Sequence, residues 1–517
     1  MVDRAGIKAD RVRAAELVAA LCLATDLGMG FPFEHGLEAT LMTMRLAELL
    51  EVDADIAADT FYASLLMYVG CTTDADLSSR TFPGGLTVNM TPVEYGSSSE
   101  RLTAAVRAVT PPGVSFGRRL YERAYRLPTA AQFQKPHYAA LCEVAEMLAE
   151  RLGLPASISR LFSRLTERWD GQGVLGRAAG EEIPLPLRIA QVARDAAYQR
   201  LVHDPDEVVD VIWARAGMAF DPAVAERFTE ASGEVLAAAE QPAWEGVLAA
   251  EPKPWLELSG QGIDRALGAI GNFSDLVSPY LSGHSARVAK LAARTGQVDG
   301  LPPDEVTEVR RAGLVHDLGR VAVNPKIWGK EGQLSVDDWE QVRLHPYHTE
   351  RILHRSPFLA GVGSIACCHH ERLNGGGYHR RLGASALSPA ARLVATVDAF
   401  CAMTEPRAHR PRLGPEEAAK TLTAEADKGC HDPDIVAAVL EVVGLPPPPI
   451  RRPAGLTERE AEVLGLIARG LQTKQVARTL DISAKTADNH LQSAYRKIGV
   501  STRAAATLFA MEHGMVS

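Results

Sequence analysis

AGLVHDLGR, residues 312–320, sets a histidine and an aspartate, His316 and Asp317, directly behind the apolar pair Leu314 and Val315. That context puts the pair on a buried helix, where an imidazole or a carboxylate needs a partner or a metal. The same chemistry recurs outward in both directions. His284 opens the amphipathic stretch HSARVAKLAAR, and His345 follows a polar segment in LHPYHTERIL. His369 and His370 end the apolar run VGSIACCHHE, and Asp398 lies inside LVATVDAF. Ten of the fifteen histidines fall between residues 251 and 450, so the residue type is concentrated rather than scattered. Adjacent His and Asp both reach metal when the carboxylate bridges two ions and the imidazole caps one. Imidazole with carboxylate is the donor set of borderline metals such as Fe, Mn, Zn and Co. The set reads as a two-metal phosphohydrolase site carried on helices. His348, His354 and His409 read as ordinary core or surface histidines. Cys367 and Cys368 read as helix packing, because phosphate chemistry prefers N and O donors.

Apolar residues at three- and four-residue spacing dominate, as in Val288-Ala289-Leu291-Ala292 and Ala461-Val463-Leu464-Ile467. Few stretches read as strands, so the expected class is all-α. A chain of 517 residues exceeds one core, and two to four domains are expected. With 46% hydrophobic and 23% charged residues the composition is that of a soluble globular protein. Seven scattered cysteines, an odd number, fit reduced thiols in a cytoplasmic protein better than a disulfide framework. The start, MVDRAGIKADRVRAAE, lacks a signal-peptide pattern. The apolar run from Leu17 to Ala24 is too short to cross a bilayer, so no membrane association is expected. A net charge of −9 excludes nucleic-acid binding through overall charge and leaves it to a local module.

An internal repeat runs through the first 445 residues. ERWDGQG at 167–173 matches ERLNGGG at 371–377. A proline-containing turn and a helix follow each, PLPLRIAQVARDAA from Pro184 and SPAARLVATVDAF from Ser388. FDPAVAERF from Phe220 parallels HDPDIVAAVL from His431, and His35 precedes Gly70 by the same 35 residues that separate His284 from Gly319. The copies differ where chemistry would be. Met67 and Tyr68 stand for His316 and Asp317, and Leu165 and Thr166 stand for His369 and His370. His35 and Asp195 are all that this matching leaves of the ligand set. Two dispersed ligands should not hold metal. Residues 1–245 therefore read as a degenerate copy without a metal site, serving structure or dimerisation, with a ligand-sensing pocket as the sharper alternative. EQPAWEGVLAAEPKPWL, residues 240–256, reads as a linker on its three prolines.

The stretch from about 275 to 445 resembles an HD-GYP domain, the metal-dependent branch of the HD phosphohydrolases that cleaves cyclic dinucleotides. The matching pieces are SGHSARVAKLA, HDLGR, His345-Pro346, HHERLNGGGYH, VATVDAF and RAHRPRLGPEEA. The expected architecture is two tandem HD-type helical domains, 1–245 and 257–445. The resemblance implies two divalent ions, iron or manganese foremost, with zinc, cobalt or nickel as further candidates. By position, His284, His316, Asp317 and Asp398 hold one ion, Asp317 bridges, and His345, His369 and His370 complete the second. The implied chemistry is two-metal phosphodiester hydrolysis by a metal-activated water. Asp317 is its central carboxylate. Arg320, at the family's lysine position, clamps a phosphate oxygen, and its fork suits that role bidentately. Gly375, Gly376, Gly377 and Tyr378 form a loop that lets backbone approach substrate, with Arg407 and Arg410 as further phosphate contacts. The chain departs from the pattern at His379, which replaces the proline of GYP, at Asn374, which replaces an acid, and at Cys401, which replaces the second aspartate of DxFDA. Tyr280 stands where three-metal members carry Glu, which favours two ions over three.

VGLPPPPIRRPAG, residues 443–455, reads as a semi-rigid spacer, with the linker proper at 446–454. Beyond it, Thr457 with Glu460 forms a capping-box signature, Gly470 stops that helix, Thr473 opens a short one and Ser483 caps the next. Two short helices joined by Asp481-Ile482-Ser483 are a helix-turn-helix. Residues 455–517 resemble the LuxR/NarL-type DNA-binding domain, with Glu460, Gly470, Ile482-Ser483, Thr486, His490, Lys497 and Gly499 on the pattern. This segment carries +2 against −11 for the rest, a contrast that suits a local nucleic-acid surface. The resemblance implies a double-stranded DNA partner and a homodimer. Lys485, Thr486, Asn489, His490 and Lys497 are the candidates in and beside the recognition helix, with Lys474 and Arg496 on backbone phosphates.

The expected function is a cytosolic metal-dependent phosphodiesterase acting on a cyclic dinucleotide such as cyclic di-GMP, fused to a DNA-binding regulator. The alternative is a ligand-sensing transcription factor whose HD site binds metal or nucleotide without turnover. A diiron oxygenase is a third reading, disfavoured by the arginines near the site.

Overall fold

The computed structural model describes residues 11–72, 81–83, 90–446, 453–513 and 515. Residues 1–10 and the middle of the proline-rich spacer, 447–452, lie outside the described residues. Helices account for nearly all the regular structure, as expected. Among the described residues, one two-stranded antiparallel ladder pairs Arg11–Arg13 with Glu257–Ser259, in the register Val12 opposite Leu258. None of the described helices is long and apolar enough to cross a membrane. The chain divides into two compact units that do not follow its linear order: Met1–Ser282 with Leu318–Ala360, and Gly283–Asp317 with Gly361–Ser517.

In the first unit, the helices His35–Leu49, Leu185–Gln199 and Pro222–Glu230 share a core. Met42, Leu46, Ile189, Val192, Phe220 and Phe228 are all but excluded from solvent there. Fully burying each such side chain contributes roughly 1.5–3 kcal/mol relative to leaving it exposed, so the facing apolar stripes hold the three helices together. The segment read as a linker is instead packed. Ala243–Ala250 is helical and Trp244 is buried. Glu251 accepts from Arg13 Nε at 2.7 Å and from the Tyr62 hydroxyl at 2.7 Å. The prolines misled because they mark the start of a helix and a turn beside the ladder, not a free tether.

The internal repeat is visible in backbone detail. His35 and His284 each open a helix behind a left-handed residue, Glu34 at φ 81° and Gly283 at φ 72°. A methyl group on Gly70 would lie 2.3 Å from the Leu141 carbonyl oxygen, and one on Gly319 would lie 2.1 Å from that of His345. Asp221 and Asp432 each cap the helix that follows, and each pairs with an arginine, Arg188 and Arg392. One correspondence moves by a residue. Asp398 lies ten residues after the N-cap Ser388, and ten after the N-cap Pro184 lies Arg194, not Asp195. Arg194 is buried, with its guanidinium 3.9 Å from the Tyr68 ring and 3.1 Å from a Glu94 oxygen. Asp195 turns elsewhere, to Gln199 and Arg215. A buried cation thus stands where a metal-binding aspartate would. His35 packs on Phe31 at 4.5 Å, and burial followed by Arg194 and Arg200 pulls its pKa down to about 4, so it is neutral.

In the second unit, Gly283–Asp317 supplies the helices His284–Val298 and Pro303–Val315, and Pro389–Thr404 and Pro433–Val442 pack with them. The C-terminal helices are Glu458–Ala468, Thr473–Thr479, Ala484–Ile498 and Arg503–Glu512. Their punctuation is the expected one. Thr457 and Glu460 close a reciprocal capping box, Ser483 accepts from the Thr486 amide at 3.0 Å, and Gly499 ends the third helix at φ 73°.

Candidate metal centre

Close helix packing builds the centre. Gly313, one turn before His316, has no side chain to hold the neighbouring helix away: a methyl group there would lie 2.8 Å from Ala289 Cα. His316 follows the last turn of its helix, His284 is the first residue of another, and Asp398 sits in the middle of a third. One ligand atom from each of His284, His316, Asp317 and Asp398 falls within a cluster whose members are all within 4.8 Å of one another, and all four residues are buried. His284 Nε2 is 3.1 Å from Asp398 Oδ1 and 3.3 Å from Asp317 Oδ2. His316 Nε2 is 2.8 Å from the same Asp317 oxygen. The other oxygen, Asp317 Oδ1, is 3.3 Å from His369 Nε2. His370 Nδ1 lies 4.0 Å from Asp398 Oδ2.

The Nδ1 atoms of His284, His316, His345 and His369 are committed. His316 Nδ1 pairs with the Gly313 carbonyl at 2.9 Å and His369 Nδ1 with that of Ala366 at 2.8 Å, each three residues back. His345, which belongs to the first unit, does the same with Val342 at 2.6 Å. His284 Nδ1 pairs instead with Glu405 Oε2 at 2.8 Å. An N–H donated from Nδ1 fixes the tautomer with the lone pair on Nε2, the form that ligates metal. Two carboxylates buried among imidazoles, with the Nε2 atoms of His284, His316 and His369 turned toward them, fit a divalent cation. Without one the site holds protons. Burial pulls the His316 pKa down, but Asp317 and then Asp398 lift it to about 9. Burial would raise Asp398, but bonds from His284 and His316 hold it well below the usual carboxylate range. Glu405, lifted by burial but bound by His284 and Arg287, falls to about 2.

The glycine loop folds onto the histidine pair. A methyl group on Gly377 would lie 2.4 Å from the His370 carbonyl oxygen and 2.5 Å from Glu371 Cα, so its close approach is to the chain's own backbone. Gly375 takes φ 72°, the Gly376 amide donates to Asn374 Oδ1 at 2.9 Å, and Tyr378 stacks on His370 at 4.6 Å. Glu371 accepts from the Arg380 and Leu382 amides, both at 2.8 Å, and so shapes the loop. The two downstream arginines have other partners than the expected phosphate. Arg410 donates to the carbonyls of Ala402, Met403, Glu405 and Pro411, around the end of the Pro389–Thr404 helix where partial negative charge collects. Arg407 Nη2 lies 3.2 Å from Glu405. Arg320 lies in the first unit, buried, with its guanidinium 5.5 Å from the Trp328 ring.

Sequence reasoning missed Glu405 and the structural use of Glu371. Glu405 is the C-cap of the Pro389–Thr404 helix that carries Asp398, with extended backbone, so helical periodicity in the sequence does not mark it.

In the C-terminal segment, Ala487, Leu491 and Ala494 turn inward while Lys485, Asn489 and Arg496 are exposed, as is Lys474 on the preceding helix. Thr486 and His490 are partly covered. Lys497 differs from expectation. It is exposed as well, but its ammonium is held by Glu460 at 2.6 Å and the Gly455 carbonyl at 2.9 Å, a brace within the domain.

Residues 272–435 match the HD domain family and residues 454–510 the family of bacterial regulatory proteins of the luxR type. The 3′3′-cGAMP-specific phosphodiesterase 3 of Vibrio cholerae serotype O1 is 28% identical over 84% of this chain and 95% of its own length. A cyclic di-GMP phosphodiesterase of Thermotoga maritima is 32% identical over 31% of this chain and 44% of its own. The crystal structure of a cyclic GMP-AMP specific phosphodiesterase of V. cholerae superposes with a TM-score of 0.59 at 25% identity, covering 84% of this chain and 99% of that one. The chain thus joins an HD domain to a C-terminal luxR-type regulatory domain and is homologous to the HD-GYP cyclic dinucleotide phosphodiesterases.

Proposed function

We propose that this protein hydrolyses a phosphodiester bond of a 3′3′-linked cyclic dinucleotide in the cytoplasm, using two divalent ions, and binds double-stranded DNA as a homodimer through its C-terminal domain. The observation that carries the reading is the buried cluster of His284, His316, Asp317 and Asp398. The relative that covers nearly its whole length is named for cyclic GMP-AMP and a shorter match for cyclic di-GMP, so these two are the substrates to try first.

In this reading His284, His316, Asp317 and Asp398 would hold one ion. Asp317, with one oxygen toward His284 and His316 and the other toward His369, would be the carboxylate available to both ions. The family pattern assigns His345, His369 and His370 to that second ion. Bound metal, iron or manganese by the resemblance, supplies activated water at neutral pH and neutralises charge on the phosphate. The protein's own residues do the positioning. The carbonyls of Gly313 and Ala366 keep His316 and His369 in one tautomer, and the apolar surround keeps bulk water from Asp317. Arg320 clamps a phosphate oxygen, and Tyr378, stacked on His370, offers an aromatic face beside the site.

Metal analysis of anaerobically purified protein, followed by incubation with cyclic GMP-AMP, cyclic di-GMP and linear dinucleotides, tests this. Cleavage that disappears in His316→Ala is the expected result. Metal-loaded protein that binds but never cleaves any of them would leave a ligand-sensing regulator instead.

A further inference from the structure

We propose that Glu405 is the positioning residue for His284, and that it supplies from the C-cap of the Pro389–Thr404 helix the carboxylate that the family pattern carries at the place of Cys401. This inference rests on the metal-site reading above. Glu405 Oε2 takes the His284 Nδ1 hydrogen bond at 2.8 Å, across 121 residues of sequence. Its other oxygen accepts from Arg287 Nε at 2.6 Å, and Arg407 Nη2 stands 3.2 Å from Oε2. The carboxyl group is buried, while Arg287 reaches it from the surface. Two guanidinium groups thus hold one carboxylate in place, and it has one imidazole to orient.

The alternative device is missing from this chain. A thiol is a weak acceptor, so Cys401, buried on the same helix four residues earlier, does not replace an aspartate as the anchor of an N–H donor. Cys401 feels the charges of Glu405, Arg287 and Arg407, so a carboxylate at 401 would stand among the same groups, which Glu405 reaches from the C-cap with an arm one methylene longer than that of Asp. The cost of the longer arm is freedom to swing, which Arg287 and Arg407 remove. A carboxylate on the outer nitrogen of a ligating imidazole fixes its tautomer and raises its basicity, and loss of such a group typically costs about 10–100-fold in metal affinity. Arg287 and Arg407 act one step further out, on Glu405 rather than on metal or substrate.

The test uses the full chain and Mn2+ competed against a chelator, with thermal unfolding of the metal-free protein and dinucleotide cleavage measured alongside. Glu405→Ala is expected to weaken Mn2+ binding by about 10–100-fold. Glu405→Gln, which keeps an acceptor but loses the charge, is expected to fall between it and the parent. The double variant Cys401→Asp with Glu405→Ala is expected to regain most of the affinity, which a merely structural loss would not do. Parental Mn2+ affinity in both Glu405→Ala and Glu405→Gln overturns the proposal, as does a folded double variant that stays as weak as Glu405→Ala. If the double variant does not fold, the order of affinities parent, Gln, Ala decides alone. A parent chain that binds no Mn2+ brings down the metal reading and this inference together, whereas a binding parent with indifferent variants brings down only the inference.

Discussion

Gly313 and Ala289 touch backbone to backbone: an added methyl group at Gly313 would stand 2.8 Å from Ala289 Cα and 2.9 Å from its nitrogen. This contact sets how near His316, three residues on, comes to His284, five residues before Ala289 on its own helix. Gly313→Val should therefore cost stability through overpacking, on the order of 1–3 kcal/mol in urea unfolding. It should also lower bound metal per chain in the protein that remains folded. A variant as stable and as metal-rich as the parent would show that the crossing does not set the site.

Asp317 presents one oxygen to two imidazoles and the other to a third. Asp317→Asn keeps the size but halves the acceptor capacity and removes the charge. Its effect on metal affinity should exceed the roughly 10–100-fold that loss of an outer supporting group costs. Metal content by elemental analysis and cleavage rate should fall together, and added Mn2+ should not restore the parental rate.

His316 titrates near 9 in the metal-free protein, above its ordinary 6.5, because Asp317 and Asp398 outweigh burial. The folded value exceeds the unfolded one, so this group's contribution to metal-free stability is full below about 6.5 and is lost as pH rises through about 9. A ligating imidazole must be neutral, so metal displaces that proton. Mn2+ affinity should climb between pH 6.5 and 9 and then level. Calorimetry in buffers of different ionisation enthalpy should show proton release at pH 7, and an affinity flat across this range would contradict the assignment.

Lys497 and Lys485 separate bracing from DNA contact. Lys497→Met removes the partner of buried Glu460 and should lower the unfolding temperature of the full chain's C-terminal transition. At a temperature where both are folded, its salt dependence of duplex DNA binding should match the parent. Lys485→Ala should leave unfolding unchanged and reduce the salt slope by about 1. Fluorescence anisotropy with a nonspecific duplex at several salt concentrations reads both.

Much of the site was legible because buried polar residues are costly wherever they fall. Histidines and aspartates set in apolar helical sequence at 284, 316, 317, 369, 370 and 398 had to meet partners, and they do. The repeat was legible as spacing, but its register failed by one residue at Arg194, since a count along the chain ignores where a helix begins. Arg410 and Lys497 carry the charge expected of ligand contacts, yet nearby helix ends and carboxylates claim them. The prolines of 240–256 signalled a break that the packed helix around Trp244 does not make.

By itself the sequence determined the helical class, the order of the candidate ligands and the capped helices of the C-terminal segment, because periodicity, caps and buried charge are local and obligatory. Only the tertiary structure decided that Glu405 faces His284, that Gly313 brings two helices into contact and that Arg194 fills the first copy. Those facts depend on which faces meet, and a helix offers several faces until packing selects one.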